Sequence, residues 1–296
     1  MLVNQDSLRA LFTGFKGDFN KQFAATESMW ERIAMLSPST KSEERYDWLG
    51  SIPGFREWVG ERVVNNLGSH GFTLRNIPFE LTIGVKRENI EDDNIGVYKP
   101  AIEMMGMQAK QHPDTLVFSL VREGFRRKCF DGQFFFDTDH PVLAADRTEV
   151  SASNWQGGDG PLWILLDTTK PIKPFIFQRR KDYTFVPMDS PTDEQVFTRG
   201  EFRYGVDARG AAGFGLWQLA YGSRQPLTRE TYEAAYAAMQ SLKKDGGDPL
   251  GVRPDLLLVP AAYRSSALEI TKAEKLDGST NINRDSAEAL VCPWLD

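Results

Sequence analysis

The densest group of reactive side chains in the 296-residue chain is Asp137-Thr138-Asp139-His140, two carboxylates and an imidazole in one short run. Such groups hold divalent metals and act as general acids and bases, so the run makes the strongest case for chemistry: a metal-dependent hydrolase using Asp137, Asp139 and His140. The spacing weakens that case. On a strand Asp137 and Asp139 share one face while His140 points away, and Pro141 behind them reads as a turn. A strand-ending turn is the preferred reading.

The remaining motifs that resemble sites fail on spacing. Gly210-Ala211-Ala212-Gly213-Phe214-Gly215 reverses the glycine order of a dinucleotide fingerprint and reads as a structural turn, with a strand rather than a helix expected after it. The glycine loop at 246–251 lacks the Lys and Ser or Thr of a phosphate loop. With three histidines, His70, His112 and His140, and no Gly-x-Ser-x-Gly elbow, a nucleophile triad has little to draw on. Cys129 follows Arg127 and Lys128, which can depress a thiol pKa, but a small buried thiol is the preferred reading. Cys129 and Cys292 stand far apart in apolar surroundings and do not suggest a disulfide framework. No catalytic, cofactor-binding or metal-ligating residue is assigned, and no cofactor is expected.

Composition agrees with a folded chain: 41% of residues are hydrophobic and 26% charged. The N-terminus lacks the pattern of a secretory signal, and no stretch approaches the roughly 18 apolar residues of a membrane span, so a cytoplasmic chain is expected. A net charge of −6 disfavours broad binding to nucleic-acid phosphates. The two basic triplets, Arg126-Arg127-Lys128 and Arg179-Arg180-Lys181, are short enough to be strand ends or ion-pair partners.

The elements that carry these residues are a mixture of helix and strand. Leu8, Leu11, Phe12, Phe15, Phe19 and Phe23 recur at helical spacing over residues 6–23, which predicts an amphipathic helix. The Ser37-Pro38-Ser39-Thr40 linker after it suggests an arm, whose stripe packs on another subunit or on its own domain. Phe79, Leu81, Ile83 and Val85 alternate with outward positions as in a half-buried strand. Residues 57–64 supply a shorter charged strand, and glycines at 68 and 71 a turn, so the pair reads as a long hairpin. A two-stranded ribbon is marginal alone in water and implies a neighbouring surface.

Residues 95–124 predict a long helix broken or kinked at Pro113, entered behind the acidic Glu91-Asp92-Asp93. Short strands are expected at 134–136, 163–166, 175–178, 202–206 and 216–220. The C-terminal segment reads as a compact βα unit: a helix capped by Thr228, an apolar strand at 256–259, a helix over 261–273 and a last strand at 290–292. The fold class is α+β.

Several phrases in unbroken order resemble one family. They include Tyr46-Asp47-Trp48-Leu49-Gly50, Glu57-Trp58-Val59-Gly60, Asp131-Gly132-Gln133 with Phe135-Phe136-Asp137 and His140-Pro141-Val142, and Lys173-Pro174-Phe175-Ile176-Phe177-Gln178. The glycine-rich block from Tyr204 to Gln218 and Asp245-Gly246-Gly247 before Val259-Pro260 continue the match. The chain is similar to the Mu-like prophage major head subunits, the gpT family.

That resemblance implies the Hong Kong 97 type capsid fold, with an N-terminal arm (1–45), an E-loop hairpin (46–94), a peripheral domain with a spine helix (95–224) and an axial α/β domain (225–296). It implies a structural protein rather than an enzyme: a major capsid protein assembled in the host bacterial cytoplasm that builds the icosahedral virion shell around double-stranded DNA without reading its sequence. Self-association into hexamers and pentamers is expected, with scaffold, portal and decoration proteins as further partners. Phe12, Phe15 and Phe19 of the arm and Trp58, Glu61, Arg62 and Arg75 of the hairpin are the expected interface residues. A phage tail or adaptor protein shares the same assembly logic.

Overall fold

The computed structural model describes residues 3–50, 72–190, 192–276 and 278–295. Helix α1, Gln5–Ala25, opens on a capping box in which Asn4 Oδ1 accepts the Ser7 N–H at 2.9 Å, satisfying a first-turn donor that has no partner inside the helix. Its buried residues are Leu8, Leu11, Phe15 and Phe19, the stripe read from the sequence. A short helix α2, Trp30–Ile33, runs directly into strand β1, Ala34–Pro38. Strand β2, Glu43–Arg45, pairs antiparallel with β3, Thr73–Arg75, so the two strands close the base of the 46–72 segment. The expected strand at 57–64 and turn at 68–71 lie outside the described residues.

Strand β4, Ile77–Lys86, stands where the alternation places it, but its described partner is not that of the expected hairpin. It pairs over ten residues with a strand far along the chain, β9. A turn α3, Arg87–Glu91, and a 3-10 turn lead into the spine helix α4, Lys99–Arg122. This helix starts later than the acidic run suggests, with Pro100 in its first turn where a missing N–H does no harm. Nor does Pro113 end it, because α4 is assigned as one helix through that residue. Pro113 is buried there, and tertiary packing outweighs the lost backbone bond.

Beyond α4 a short hairpin joins β5, His140–Leu143, to β6, Glu149–Ala152. The expected strand at 134–136 is reduced to one bridge between Lys128 and Phe134. Strand β7, Trp163–Leu166, precedes the two longest described strands, β8, Phe175–Met188, and β9, Glu201–Phe214, which flank helix α5, Glu194–Arg199. The glycine-rich block expected to turn is instead the inner end of β9. A Cβ at Gly210 would stand 2.6 Å from the Gln178 carbonyl oxygen, and one at Gly213 2.9 Å from a Leu74 methyl, so these glycines permit close approach within a sheet. A 3-10 turn over Trp217–Leu219 replaces the front of the next expected strand, β10, Ala220–Ser223.

Helix α6, Arg229–Gln240, is capped by Thr228 as expected and is followed by β11, Leu256–Val259. Helix α7, Arg264–Lys272, a small pair β12, Lys275–Leu276, and β13, Ser279–Thr280, and a last strand β14, Glu288–Val291, complete the described chain.

Two four-stranded sheets organise these elements. The first has the order β1-β8-β9-β4 and carries α1 and the first half of α4 on its buried face. Along β9, Phe202, Tyr204, Val206 and Ala208 point inward at every second position, as a half-buried strand requires. The second sheet, β10-β7-β11-β14, forms the larger core, with β7 and β11 buried along their whole length. The C-terminal βα unit is therefore not self-contained, because β7 and β10 come from before residue 225 and sit in its sheet. Helix α4 ties both cores together: Ile102, Met105 and Ala109 face the first, Val117, Phe118, Leu120 and Val121 the second.

Candidate functional site

The Asp137 to His140 run does not converge on one point. Asp137 uses its oxygens to accept the backbone N–H groups of Thr138, at 2.7 Å, and Phe134, at 3.3 Å. Asp139 accepts the Ser151 hydroxyl. Asp137 shapes its own turn and Asp139 ties to Ser151, while His140 pairs with Asp131 and Asn154 instead, so the hydrolase reading loses its ligand set.

His140 opens β5 and is fully buried, lying flat on Trp217 with ring centroids 3.9 Å apart and 8° between planes. Its Nδ1 is 2.7 Å from Asp131 Oδ2. Asp131 belongs to a turn closed by its own Oδ1, which accepts the Gln133 N–H at 3.0 Å, with Gly132 supplying φ +87. The Cys129 thiol also donates to Asp131 Oδ1, at 3.0 Å. Burial pushes the Asp131 carboxyl up, but hydrogen bonds from His140 and Cys129 outweigh it and hold the group below the usual carboxylate range. Burial, with the Asp131 charge beside it, pushes the Cys129 thiol far above its ordinary value, so it is no nucleophile at neutral pH. A cavity of about 260 Å³ opens beside this cluster, lined in part by Asp131, Val142, Trp217 and Lys244. Asp131 escapes sequence reasoning because a turn, not a strand or helix period, brings it to His140.

The other candidates are the residues expected to meet a partner. The arm's stripe closes within the chain: Phe12 stacks on Phe185 at 5.8 Å, Phe15 meets Tyr204 edge-on at 5.2 Å, and Phe19 stacks on Phe185 at 5.2 Å. Phe15 and Phe19 are core residues of their own subunit, a correction to their reading as interface residues, while Phe12 is half-buried. Trp58, Glu61 and Arg62 lie outside the described residues. Arg75 is exposed on β3, opposite Glu43. The basic triplets make ion pairs inside the chain, Arg127 with Glu123 at 3.2 Å, Arg179 with Asp182 at 3.3 Å, and Lys181 with Asp207.

Strand β4 forms one edge of its sheet and leaves Ile77 and Leu81 exposed. Beside it a groove of about 280 Å³ runs between sheet and spine, lined by Phe79, Leu81, Ala109, His112, Tyr183 and Val206. His112 Nδ1 lies 2.6 Å from Tyr183 Oη, and burial pushes the imidazole pKa down. At the far end of the β8–β9 ribbon, Met188 is exposed and Phe197 on α5 is 90% exposed. Neither residue has a sequence signal, because a short helix in a strand connection has no periodicity to read.

The model of the Mu-like prophage major head subunit gpT matches residues 8–295. The chain is 36% identical over 292 residues to the major capsid protein of Escherichia phage Mu, covering 96% of each. Among solved structures, a chain of the bacteriophage JBD30 procapsid is similar at a TM-score of 0.88, with 42% identity, 99% of this chain and 100% of that one covered. A chain of the JBD30 capsid decorated with minor capsid protein trimers is similar at 0.75, with 33% identity and 92% of each covered. The mixed sheets, the spine helix and this likeness are those of the Hong Kong 97 type capsid fold. The chain belongs to the Mu-like prophage major head subunit family, gpT, as a major capsid protein, a structural protein rather than an enzyme.

Proposed function

We propose that copies of this chain close into an icosahedral shell of hexamers and pentamers around double-stranded DNA, in the cytoplasm of a bacterial host. The observation that carries the reading is the edge of β4, which among the described residues has β9 on one side and no strand on the other, together with the apolar tip at Met188 and Phe197. An edge strand of ten residues is an aggregation hazard in a free monomer and is normally covered, blunted or paired. Ring closure needs head-to-tail contacts, in which two different patches of one subunit meet two different neighbours. Specific contacts of this kind typically bury about 1,200–2,000 Å² in total, which a reaching loop and ribbon supply.

In this reading the 46–94 segment is the E-loop, and Trp58, Glu61, Arg62 and Arg75 lie against a neighbour's peripheral domain. Phe12, at the partly exposed edge of the arm, joins that contact. The peripheral domain centres on the first sheet and the axial domain on the second, with α4 as the spine between them. Scaffold and portal proteins assist assembly, and a minor capsid protein decorates the outside, as trimers do on the JBD30 capsid. The acidic balance of −6 keeps the wall from holding DNA tightly, so DNA is enclosed without sequence-specific contacts. Among the described residues no helix is long and apolar enough to cross a membrane.

Electron microscopy of the purified full-length protein tests this reading. Closed shells are expected; rings or tubes would instead make the chain a tail or adaptor component.

A further inference from the structure

We propose that Cys129, Asp131 and His140 form a metal site that takes one zinc ion per subunit and pins the turn after the spine helix to the body of the protein. Their ligand atoms, Sγ, a carboxylate oxygen and an imidazole nitrogen, all lie within 4.8 Å of one another. Cys129 and His140 are buried and Asp131 nearly so, which shields the site from competing water.

The hydrogen bonds behind His140 give the site its direction. Asn154 donates through Nδ2 to the carbonyl oxygens of Phe135, at 2.7 Å, and Trp217, at 3.3 Å, which assigns the orientation of its amide. Its Oδ1 accepts the Asp137 N–H at 2.9 Å and therefore faces His140 Nε2, 3.3 Å away, as an acceptor. Nε2 carries the hydrogen. In a neutral imidazole the lone pair is then on Nδ1, aimed at Asp131 Oδ2 only 2.7 Å away. Two lone pairs at that distance repel unless a positive centre lies between them.

A proton fills that role in the metal-free protein, with the Cys129 S–H donating to Asp131 Oδ1 on the other side of the carboxylate. A zinc ion would replace both hydrogens and draw the three side chains onto one centre. Thiolate, imidazole and carboxylate together are zinc's donor set, whereas magnesium and calcium take oxygen alone. A carbonyl or amide oxygen on the far ring nitrogen is the usual device that orients a metal-binding histidine, and Asn154 is so placed. The neighbouring cavity reaches the cluster through Asp131, which gives an ion a way in. On binding, a zinc–sulfur bond replaces the S–H bond, the thiol proton goes to solvent, and any proton held at Nδ1 leaves with it.

The test uses full-length protein assembled into particles and purified without chelator. Elemental analysis is expected to find one zinc per chain. After stripping, titration with cobalt(II) is expected to give a thiolate-to-cobalt charge-transfer band that saturates at one equivalent. In Cys129→Ser the band is expected to vanish while electron microscopy still shows particles. Trace zinc in the unmodified particles together with no band at saturating cobalt would overturn the proposal and leave an imidazolium paired with Asp131. Full zinc retention by Cys129→Ser particles would overturn it equally, by removing the thiolate from the site.

Discussion

Asp114 holds the first turn of the Trp30 helix: its Oδ1 accepts the backbone N–H groups of Met29 and Trp30 at 2.8 and 2.7 Å, from the middle of the spine. The carboxylate is buried, and it fixes where the chain leaves the arm and enters the first sheet. Asp114→Ala leaves two donors without an acceptor in the interior and is expected to lower stability by about 1–3 kcal/mol. Asp114→Asn keeps an acceptor oxygen and should lose less. Urea denaturation midpoints of the unassembled subunit read both; equal losses would assign the effect to the carboxylate's charge rather than to the acceptor oxygen that Asn keeps.

Gly106 sets the distance between arm and spine. A Cβ there would meet the Phe19 carbonyl oxygen at 2.6 Å and the Phe23 nitrogen at 3.2 Å, both backbone atoms that cannot step aside alone. Gly106→Ala is expected to destabilise by about 1–3 kcal/mol through overpacking. Gly14, in the same arm helix, has nothing within 4 Å of its would-be Cβ. Gly14→Ala is accordingly expected to stabilise by up to about 1 kcal/mol. Opposite signs in the two thermal midpoints are the result to look for.

The arm's phenylalanines give a different outcome from the one an external arm would give. Changing Phe12, Phe15 and Phe19 together to Ser removes two buried rings from the first core, where deleting a single Phe typically costs about 3–5 kcal/mol. The variant is expected to lose its native circular dichroism rather than persist as a folded monomer. A near-normal spectrum with failed assembly would return the stripe to the interface.

Much of this architecture is legible in the residues, and the parts that are not share a cause. The α1 stripe, the alternation of β4 and the Thr228 cap are local patterns, and local patterns survive into the fold. Pairing partners are not local. Nothing between Phe79 and Val85 says that β9, more than a hundred residues on, lies beside them. Glycine misleads at Gly210 and Gly213, because the same missing Cβ serves a turn and a close approach. The cluster at His140 is half legible: the imidazole stands out, but Asp131 joins it by the geometry of one turn.

His112 carries a pH dependence of known sign. Burial lowers its folded pKa beneath the ordinary 6.5, so the unfolded chain takes up the proton first as pH falls. Stability supplied by the neutral imidazole is complete above 6.5, declines as pH drops from 6.5 toward the folded value, and levels off below it. Thermal midpoints of the unassembled subunit measured from pH 7.5 downward should fall more steeply for the unmodified chain than for His112→Gln. Parallel curves would show that the His112 site does not couple to folding.

Phe197 separates folding from assembly. It stands 90% exposed on α5, a helix that ends at Gly200 with φ +62, while its neighbour Val196 faces inward and holds the turn in place. An exposed residue so placed contributes little to the subunit's own stability, and Phe197→Ser is expected to stay within about 0.5 kcal/mol of the unmodified chain. If the tip meets a neighbour, each contact loses the burial of one aromatic ring, roughly 1.5–3 kcal/mol. Because about 1.4 kcal/mol is a factor of ten in an association constant, the concentration needed for shell formation should rise at least about tenfold. Light scattering against subunit concentration measures that threshold directly. An unchanged threshold with an unchanged denaturation midpoint would place Phe197 outside every contact of the shell and leave the β4 edge to hold the neighbours.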